Sequence, residues 1–343
     1  MSDAGSGVTS AAPPAKPGAL QPFARRWPKS LYLLRRFMTS LLLLWLVSVL
    51  IFLGLELLPG DAAQAMLGKA ANETNLAALR AELGLDQPMW SRYAAWIGDL
   101  LQGDLGTSLS NRRPVADTVL PRLGLSLTLA LCAALVTIPL AIIAGAWAAR
   151  HNGGRFDRML RLISRFTVSA PEFFTGYAVI FIFALWLGWL PSSVPVRPGM
   201  ALPALLQAMI LPVMVLFLAV AGHVVITTRS ALLDILSQPW IEMARLKGLS
   251  EARILWQHAM PNAIGPIANV ALLNLAYMIT GVMVVETIFV LPGLGQYLVD
   301  SVSKRDMPVV QACSLIFAGV YILLNLCADL AATLGTPRIR SRL

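Results

Sequence analysis

Six apolar stretches, each long enough to cross a bilayer, leave this chain few ways to fold. They fall at 37–58, 123–149, 166–190, 203–228, 264–291 and 309–334. A helix rises 1.5 Å per residue, so about 20 apolar residues span a hydrocarbon core roughly 30 Å thick. Inside that core each backbone N–H and C=O must be paired within the protein, which selects helices. The chain is therefore expected to be an all-α polytopic membrane protein with six transmembrane helices. Composition agrees: 57% of the 343 residues are apolar and 13% are charged, whereas a soluble domain carries about a quarter charged residues. Pro139 is expected to kink the second span. Trp186 and Trp189 close the third as interface anchors.

Charge orients the spans. With both termini inside, the inner segments hold 18 of the 27 Lys and Arg and the outer segments 9. The outer nine are matched by nine acids, from Asp61 to Asp306. The excess of basic residues inside is what the positive-inside rule requires. It also accounts for the net charge of +9, so scattered arginines at membrane-facing ends do not argue for nucleic-acid binding.

The segments between spans differ in character. Residues 1–30 are rich in Ala, Gly, Pro and Ser and read as a disordered cytoplasmic tail. Residues 31–60 hold the first span and its basic flank. Ala63-Gln64-Ala65 resembles a signal-peptidase site, but the apolar run before it is too long for a signal peptide, which leaves an uncleaved anchor. Residues 61–120 form a long external loop with weak helical patterns. Residues 121–336 are a five-helix core interrupted by an inner loop at 229–263, and 337–343 form a second cytoplasmic tail. A basic turn with Arg150, Arg155, Arg158, Arg161 and Arg165 follows the second span, a Pro-rich turn (Pro191, Pro195, Pro198) follows the third, and a Pro292-Gly293-Leu294-Gly295 turn follows the fifth.

No catalytic constellation is visible. There is no Gly-Lys-Ser or Gly-Lys-Thr, hence no Walker A phosphate loop, and the chain is not itself an ATPase. Cys132, Cys313 and Cys327 all lie within spans and imply no disulfides. His151, His223 and His258 lack metal-ligand spacing, and His223, on an apolar helix, reads as a packed or hydrogen-bonded residue rather than a ligand.

Four acids fall inside spans: Glu56, Glu172, Glu286 and Asp329. A charge at mid-bilayer costs roughly 2.5–3.5 kcal/mol on insertion scales, so each must face protein or water. Glu56 and Glu286 lie near the outer end, where two readings stay open: they line the mouth of a pathway, or they reach to the interface. Asp329, near the inner end, is expected to pair with an inner arginine. Asn274, Asn325 and Thr280 are expected to form interhelical hydrogen bonds.

The inner loop carries the most local information. Pro239 opens a short helix, and Gly248 sits where a left-handed residue would end it. Ser250 then caps a second run, with Glu251 at its positive end. Two short helices joined at a glycine form a rigid knob that a soluble partner can grip. Glu242-Met243-Ala244, Lys247-Gly248 and His258-Ala259-Met260-Pro261-Asn262-Ala263 resemble the coupling-helix ("EAA") loop of ABC importer permeases. Ala244 to Leu249 resembles in particular the Ala-Arg-x-Lys-Gly-Leu run of the dipeptide/oligopeptide/nickel subfamily. Met243 stands where the general motif has alanine, a mild departure because methionine also fills an apolar socket. The likeness runs from about residue 31 to 340 and includes Leu83-Gly84-Leu85-Asp86-Gln87-Pro88 and Gly103-Asp104-Leu105-Gly106-Thr107-Ser108 in the external loop.

The resemblance implies a type I ABC importer permease fold in the bacterial inner membrane and a role in translocating short peptides. Nickel, opines, antimicrobial peptides and oligosaccharides are the other solutes of the subfamily. It implies a second, homologous permease, two cytoplasmic ATPases and an external solute-binding protein as partners. It implies no cofactor in this chain, ATP and Mg being held by the ATPases. It assigns ATPase coupling to Glu242, Met243, Ala244, Arg245, Lys247, Gly248 and Leu249; Glu56, Glu286 and Asn274 are candidates for the solute pathway. A self-sufficient, ion-driven secondary transporter is the alternative from another class. No internal repeat supports it, and it would leave the knob unexplained.

Overall fold

The computed structural model describes residues 29–57, 64, 72–82, 84–193, 196 and 200–335. Residues 1–28 of the tail expected over 1–30, the tail expected over 337–343 and most of the Pro-rich turn at 194–199 lie outside these, while Lys29 and Ser30, expected in the first tail, already belong to the first helix. The described residues are almost wholly helical. Long helices are α1 (Lys29–Glu56), α4 (Val115–Arg150), α7 (Leu202–Leu236), α10 (Met260–Phe289) and α12 (Met307–Gly335). Between α1 and α4 lie α2 (Glu73–Glu82) and α3 (Met89–Leu101). Between α4 and α7 lie α5 (Arg155–Ser169) and α6 (Glu172–Val179), the latter extended by a π-helical stretch, Ile180–Trp186. The short α8 (Pro239–Leu246) and α9 (Glu251–Arg253) follow α7, and α11 (Leu294–Lys304) joins α10 to α12.

Five helices are long and apolar enough to cross a membrane, and α5 with α6 makes a sixth span if that pair counts as one. The third span is thus not the single helix expected over 166–190. It breaks at Ala170-Pro171, where α5 and α6 meet at 109°. Pro171 explains the break: its ring disfavours the helical region for the residue before it, and Ala170 is extended at ψ 129°. The expected basic turn after the second span is, from Arg155 on, the helix α5. The second span begins at Val115, with Pro121 and Pro139 both inside the helix.

The core lies between α4, α6, α7 and α10, from Leu129 and Ala133 across Val215 and Leu216 to Met278 and Val285. Small residues allow the closest approaches. A Cβ on Gly145 of α4 would meet the Val225 carbonyl of α7 at 2.8 Å, and one on Gly222 would meet the Ser164 carbonyl of α5 at 2.7 Å. A second cluster joins Val115 and Val119 to Leu294, Val309 and Cys313 at one end of the bundle. A third joins Ala146, Ala149 and Leu232 to Leu255, Ala259 and Ala263 at the other. That other end carries α8 and is called the knob end below.

Ion pairs tie the elements at their ends. Asp157 of α5 is fully buried and receives Arg229 of α7 through Nε (2.5 Å) and Nη2 (2.9 Å), with Arg161 at 3.4 Å. Asp329 pairs with Arg36 of α1 at 3.1 Å, as expected of that acid. His223 departs from expectation. It is exposed on α7 rather than packed, no described element covering it. Asn274 and Asn325 also depart: their amides donate to the Val270 and Tyr321 carbonyls of their own helices, at 2.8 and 2.9 Å, and Thr280 is exposed. The cysteines are free.

Candidate functional site

The knob is built from strictly local instructions. Gln238 is extended and Pro239 is the first residue of α8, where its missing N–H breaks no hydrogen bond. One face of α8 is anchored by Ile241, which is fully buried, while Glu242, Met243, Leu246 and Lys247 face outward. Leu246 is 77% exposed. Gly248 has φ +78°, and the end of the helix closes with two hydrogen bonds. Gly248 N–H donates to the Arg245 carbonyl at 2.9 Å, and Leu249 N–H to the Ala244 carbonyl at 3.3 Å, the paired pattern of a left-handed glycine cap. Ser250 Oγ accepts from Arg253 N–H at 3.4 Å and caps the second run. Arg245 reaches across the joint to Glu251, Nε to Oε1 at 2.9 Å and Nη2 to Oε2 at 3.4 Å.

The second run is not a separate short helix. It continues through a π-helical stretch, Ile254–Ala259, directly into α10. The wider turn sits just before Met260-Pro261, where a proline would otherwise clash with the carbonyl one turn back. Ile254, Leu255 and Ala259 are buried, the last two against α4 and α7, so the knob is welded to three long helices. Between the knob, the α4–α5 turn and the end of α7 lies a hollow of about 780 Å³, lined by His151, Asn152, Asp234, Arg245 and Glu251 among others. All seven residues expected to couple, Glu242 to Arg245 and Lys247 to Leu249, fall within one continuous turn and a half of chain and its cap.

The pathway candidates are not brought together. Asn274 is half-buried and spends its amide on its own helix. Glu56 pairs with Arg92 of α3, beside a cavity of about 820 Å³ that Trp96, Asp99, Asp104 and Gln311 also line. Glu286, expected near the mouth, has no accessible surface at all. Its carboxyl receives Ser126 Oγ at 2.5 Å, Gly295 N–H at 2.7 Å and Gln296 N–H at 3.3 Å, and Leu294 N–H donates to Ser126 Oγ at 2.9 Å. In this conformation Glu286 therefore lines no pathway. It holds the amino-terminal turn of α11, whose orphan N–H groups need acceptors.

Two further acids are counted in the sequence without being given a role. Asp306, 1% exposed, accepts from Ser108 Oγ (2.5 Å), Leu109 N–H (3.0 Å) and Ser110 N–H (3.2 Å), and so pins the loop before α4 to the α11–α12 junction. Glu172 begins α6 with its carboxylate against Gly281, and its Oε1 has no partner among the described residues. No group of three or more potential metal ligands occurs among the described residues.

Residues 138–341 match the family described as binding-protein-dependent transport system inner membrane component, and residues 30–130 match its amino-terminal region. The chain belongs to that family. It is a multi-pass inner-membrane permease subunit of an ABC transport system. It is 36% identical over 311 residues to a probable peptide ABC transporter permease protein of Sinorhizobium fredii, covering 90% of this chain and 99% of that protein. It is equally identical over 313 residues to a glutathione transport system permease protein of Escherichia coli, covering 90% and 98%. A more distant likeness is to a chain of the MetNI methionine ABC transporter in an inward-facing conformation, with a TM-score of 0.48 and 16% identity over 66% of this chain and 96% of that one.

Proposed function

We propose that this permease carries short peptides inward, paired with a homologous second permease. Two ATPases, which hold ATP and Mg, sit on the knob side in the cytoplasm, and a solute-binding protein delivers the peptide outside. Both termini are cytoplasmic. The observation that carries this reading is the knob: an outward face of Glu242, Met243, Leu246 and Lys247 on α8 and its cap, joined to a run whose Leu255 and Ala259 are anchored among the spans. Relatives named for peptide and glutathione transport support the solute, since glutathione is itself a tripeptide.

Mechanically, closure of the ATPase pair displaces the knob. Because Leu255 and Ala259 pack on α4 and α7, that displacement reaches the long helices instead of flexing a loop. The test is uptake of labelled di- and tripeptides by the assembled transporter in proteoliposomes, with ATP inside and binding protein outside. Uptake that requires both is expected. Uptake by this chain alone, driven by a proton or sodium gradient, would promote the secondary-transporter reading in its place.

A further inference from the structure

Among the described residues, Asp157 is the only fully buried acid at the knob end. Its carboxylate takes Arg229 Nε at 2.5 Å and Nη2 at 2.9 Å, Gly153 N–H at 3.0 Å and Arg161 at 3.4 Å. Arg229 Nη2 also donates to Asn152 Oδ1 at 2.7 Å. One guanidinium thus fastens two pieces of chain to α7: the α4–α5 turn at Asn152 and Gly153, and the first turn of α5. A second fastening follows seven residues on, where the Ser164 carbonyl, Thr167 and Val168 close on Gly222 of α7. Arg229 and Gly222 are also seven apart, so α5 runs antiparallel alongside α7 over about 10 Å. Past Ser169 the chain breaks at Ala170-Pro171 and turns by 109°. No continuous helical ladder therefore holds α5 in register with α6, and its position depends on α7.

This clamp sits directly behind the seat of the knob. Leu232, one turn past Arg229 on α7, is fully buried in the cluster that holds Leu255 and Ala259. A push on the knob reaches Leu232 first, and Arg229 one turn further along the same helix. Apolar helix faces slide past one another in shear movements, whereas a planar guanidinium gripping a carboxylate through two N–H groups admits a single register. Stability alone does not call for such a pair, since uncharged groups of similar volume often replace a buried ion pair at no cost. We infer that Asp157, Arg229 and Asn152 are positioning residues for coupling, locking α5 and the α4–α5 turn to the knob end of α7 so that a displaced knob moves all three as one body. The inference rests on the proposed function for the source of that displacement, the ATPase pair, and not on the identity of the solute.

The test uses the assembled transporter with the three native cysteines changed to Ser and spin labels at Leu162→Cys on α5 and Gln257→Cys beside the knob, both exposed positions. Pulsed electron paramagnetic resonance reads the distance between them without nucleotide and after trapping with ATP and vanadate. One narrow distance, unchanged by trapping, is expected when the clamp is intact. The double variant Asp157→Asn with Arg229→Met leaves no unpaired charge at the clamp, because Arg161, 37% exposed, turns to water, and it keeps an acceptor for Gly153 N–H. In it the distance is expected to broaden or shift on trapping, and peptide uptake per ATP hydrolysed to fall several-fold with ATPase recruitment retained. Asn152→Ala removes one bond at the surface without touching the buried pair, so it guards against misfolding; it is expected to act in the same direction and more weakly. A narrow, unchanged distance in the double variant, or unaltered uptake per ATP, would overturn the inference, as would a distance that shifts on trapping with the clamp intact. ATP hydrolysis and peptide uptake by the unmutated assembly judge the proposed function separately.

Discussion

The knob and the opposite end of the bundle are stabilised in opposite ways. In the knob the polar groups of α8 and α9 lie at the surface: Arg245 and Glu251 pair with side chains 42% and 51% exposed, and Met243 and Leu246 face outward, uncovered by the described residues. At the other end the decisive polar groups are buried carboxylates with three donors each: Glu286 takes one from Ser126, 160 residues away, and two from the adjoining α11, and Asp306 takes all three from the loop at Ser108–Ser110. A solvated pair contributes little to stability, whereas a buried carboxyl bonded to backbone N–H groups is expensive to remove. The knob's outer face is thus left uncovered by the described residues. The opposite end holds α11, the start of α4 and the α11–α12 junction as one block.

That contrast is broken most directly at Glu286. Changing Glu286 to Ala leaves the N–H groups of Gly295 and Gln296 and the Ser126 hydroxyl without their acceptor in the interior, and the expected loss is about 3–5 kcal/mol. Thermal unfolding of the purified chain in detergent, followed by tryptophan fluorescence, reads this as the largest drop of the series. An unchanged midpoint would mean that α11 is held by its apolar contacts alone. Asp306→Ala is the next largest, at about 2–4 kcal/mol, because Ser108, Leu109 and Ser110 lose one shared acceptor. Proteolysis between residues 104 and 114 is expected to accelerate in that variant, and identical cleavage rates would argue against the pin.

What was legible in the sequence follows the range of the interactions involved. The knob depends on Pro239, Gly248 and Ser250, each acting within a few residues, and the structure places the turn, the cap and the left-handed glycine where those residues put them. Five spans are plain because length and apolarity are summed over 20 or more residues. The break in the third was readable from Ala170-Pro171 but is outweighed by the apolar run around it. Helix α11 carried a signal too, in Leu294, Leu298 and Ser301, spaced four and three apart and all buried. The partners of Glu286 and Asp306 were not legible: Ser126 lies 160 residues from Glu286 and Ser108 lies 198 from Asp306, and no local rule joins them. The π-helical stretch before Pro261 was equally hidden, since it answers a steric demand of one proline within an otherwise continuous helix.

The smallest effect on stability is expected at Gly248, and it separates folding from coupling. A Cβ there meets nothing within 4 Å, so Gly248→Ala adds no clash and pays only for the left-handed backbone, about 1 kcal/mol, while Gly248→Val pays more because of its branched side chain. Either change should leave the thermal midpoint close to wild type, far above that of Glu286→Ala. Yet Gly248 sets the direction in which α8 leaves its cap, and a strained cap reorients Glu242, Met243 and Leu246 relative to the anchored Leu255 and Ala259. Gly248→Val is therefore expected to lose ATP-driven peptide uptake while remaining folded and inserted, and Glu242→Lys, which alters charge on the exposed face and leaves the backbone alone, should do the same. The measurement is uptake and ATPase recruitment at matched expression for wild type and both variants. Wild-type rates in both would show that this turn does not couple. Loss in Gly248→Val alone would show that the knob acts through its shape and not through the charge at Glu242.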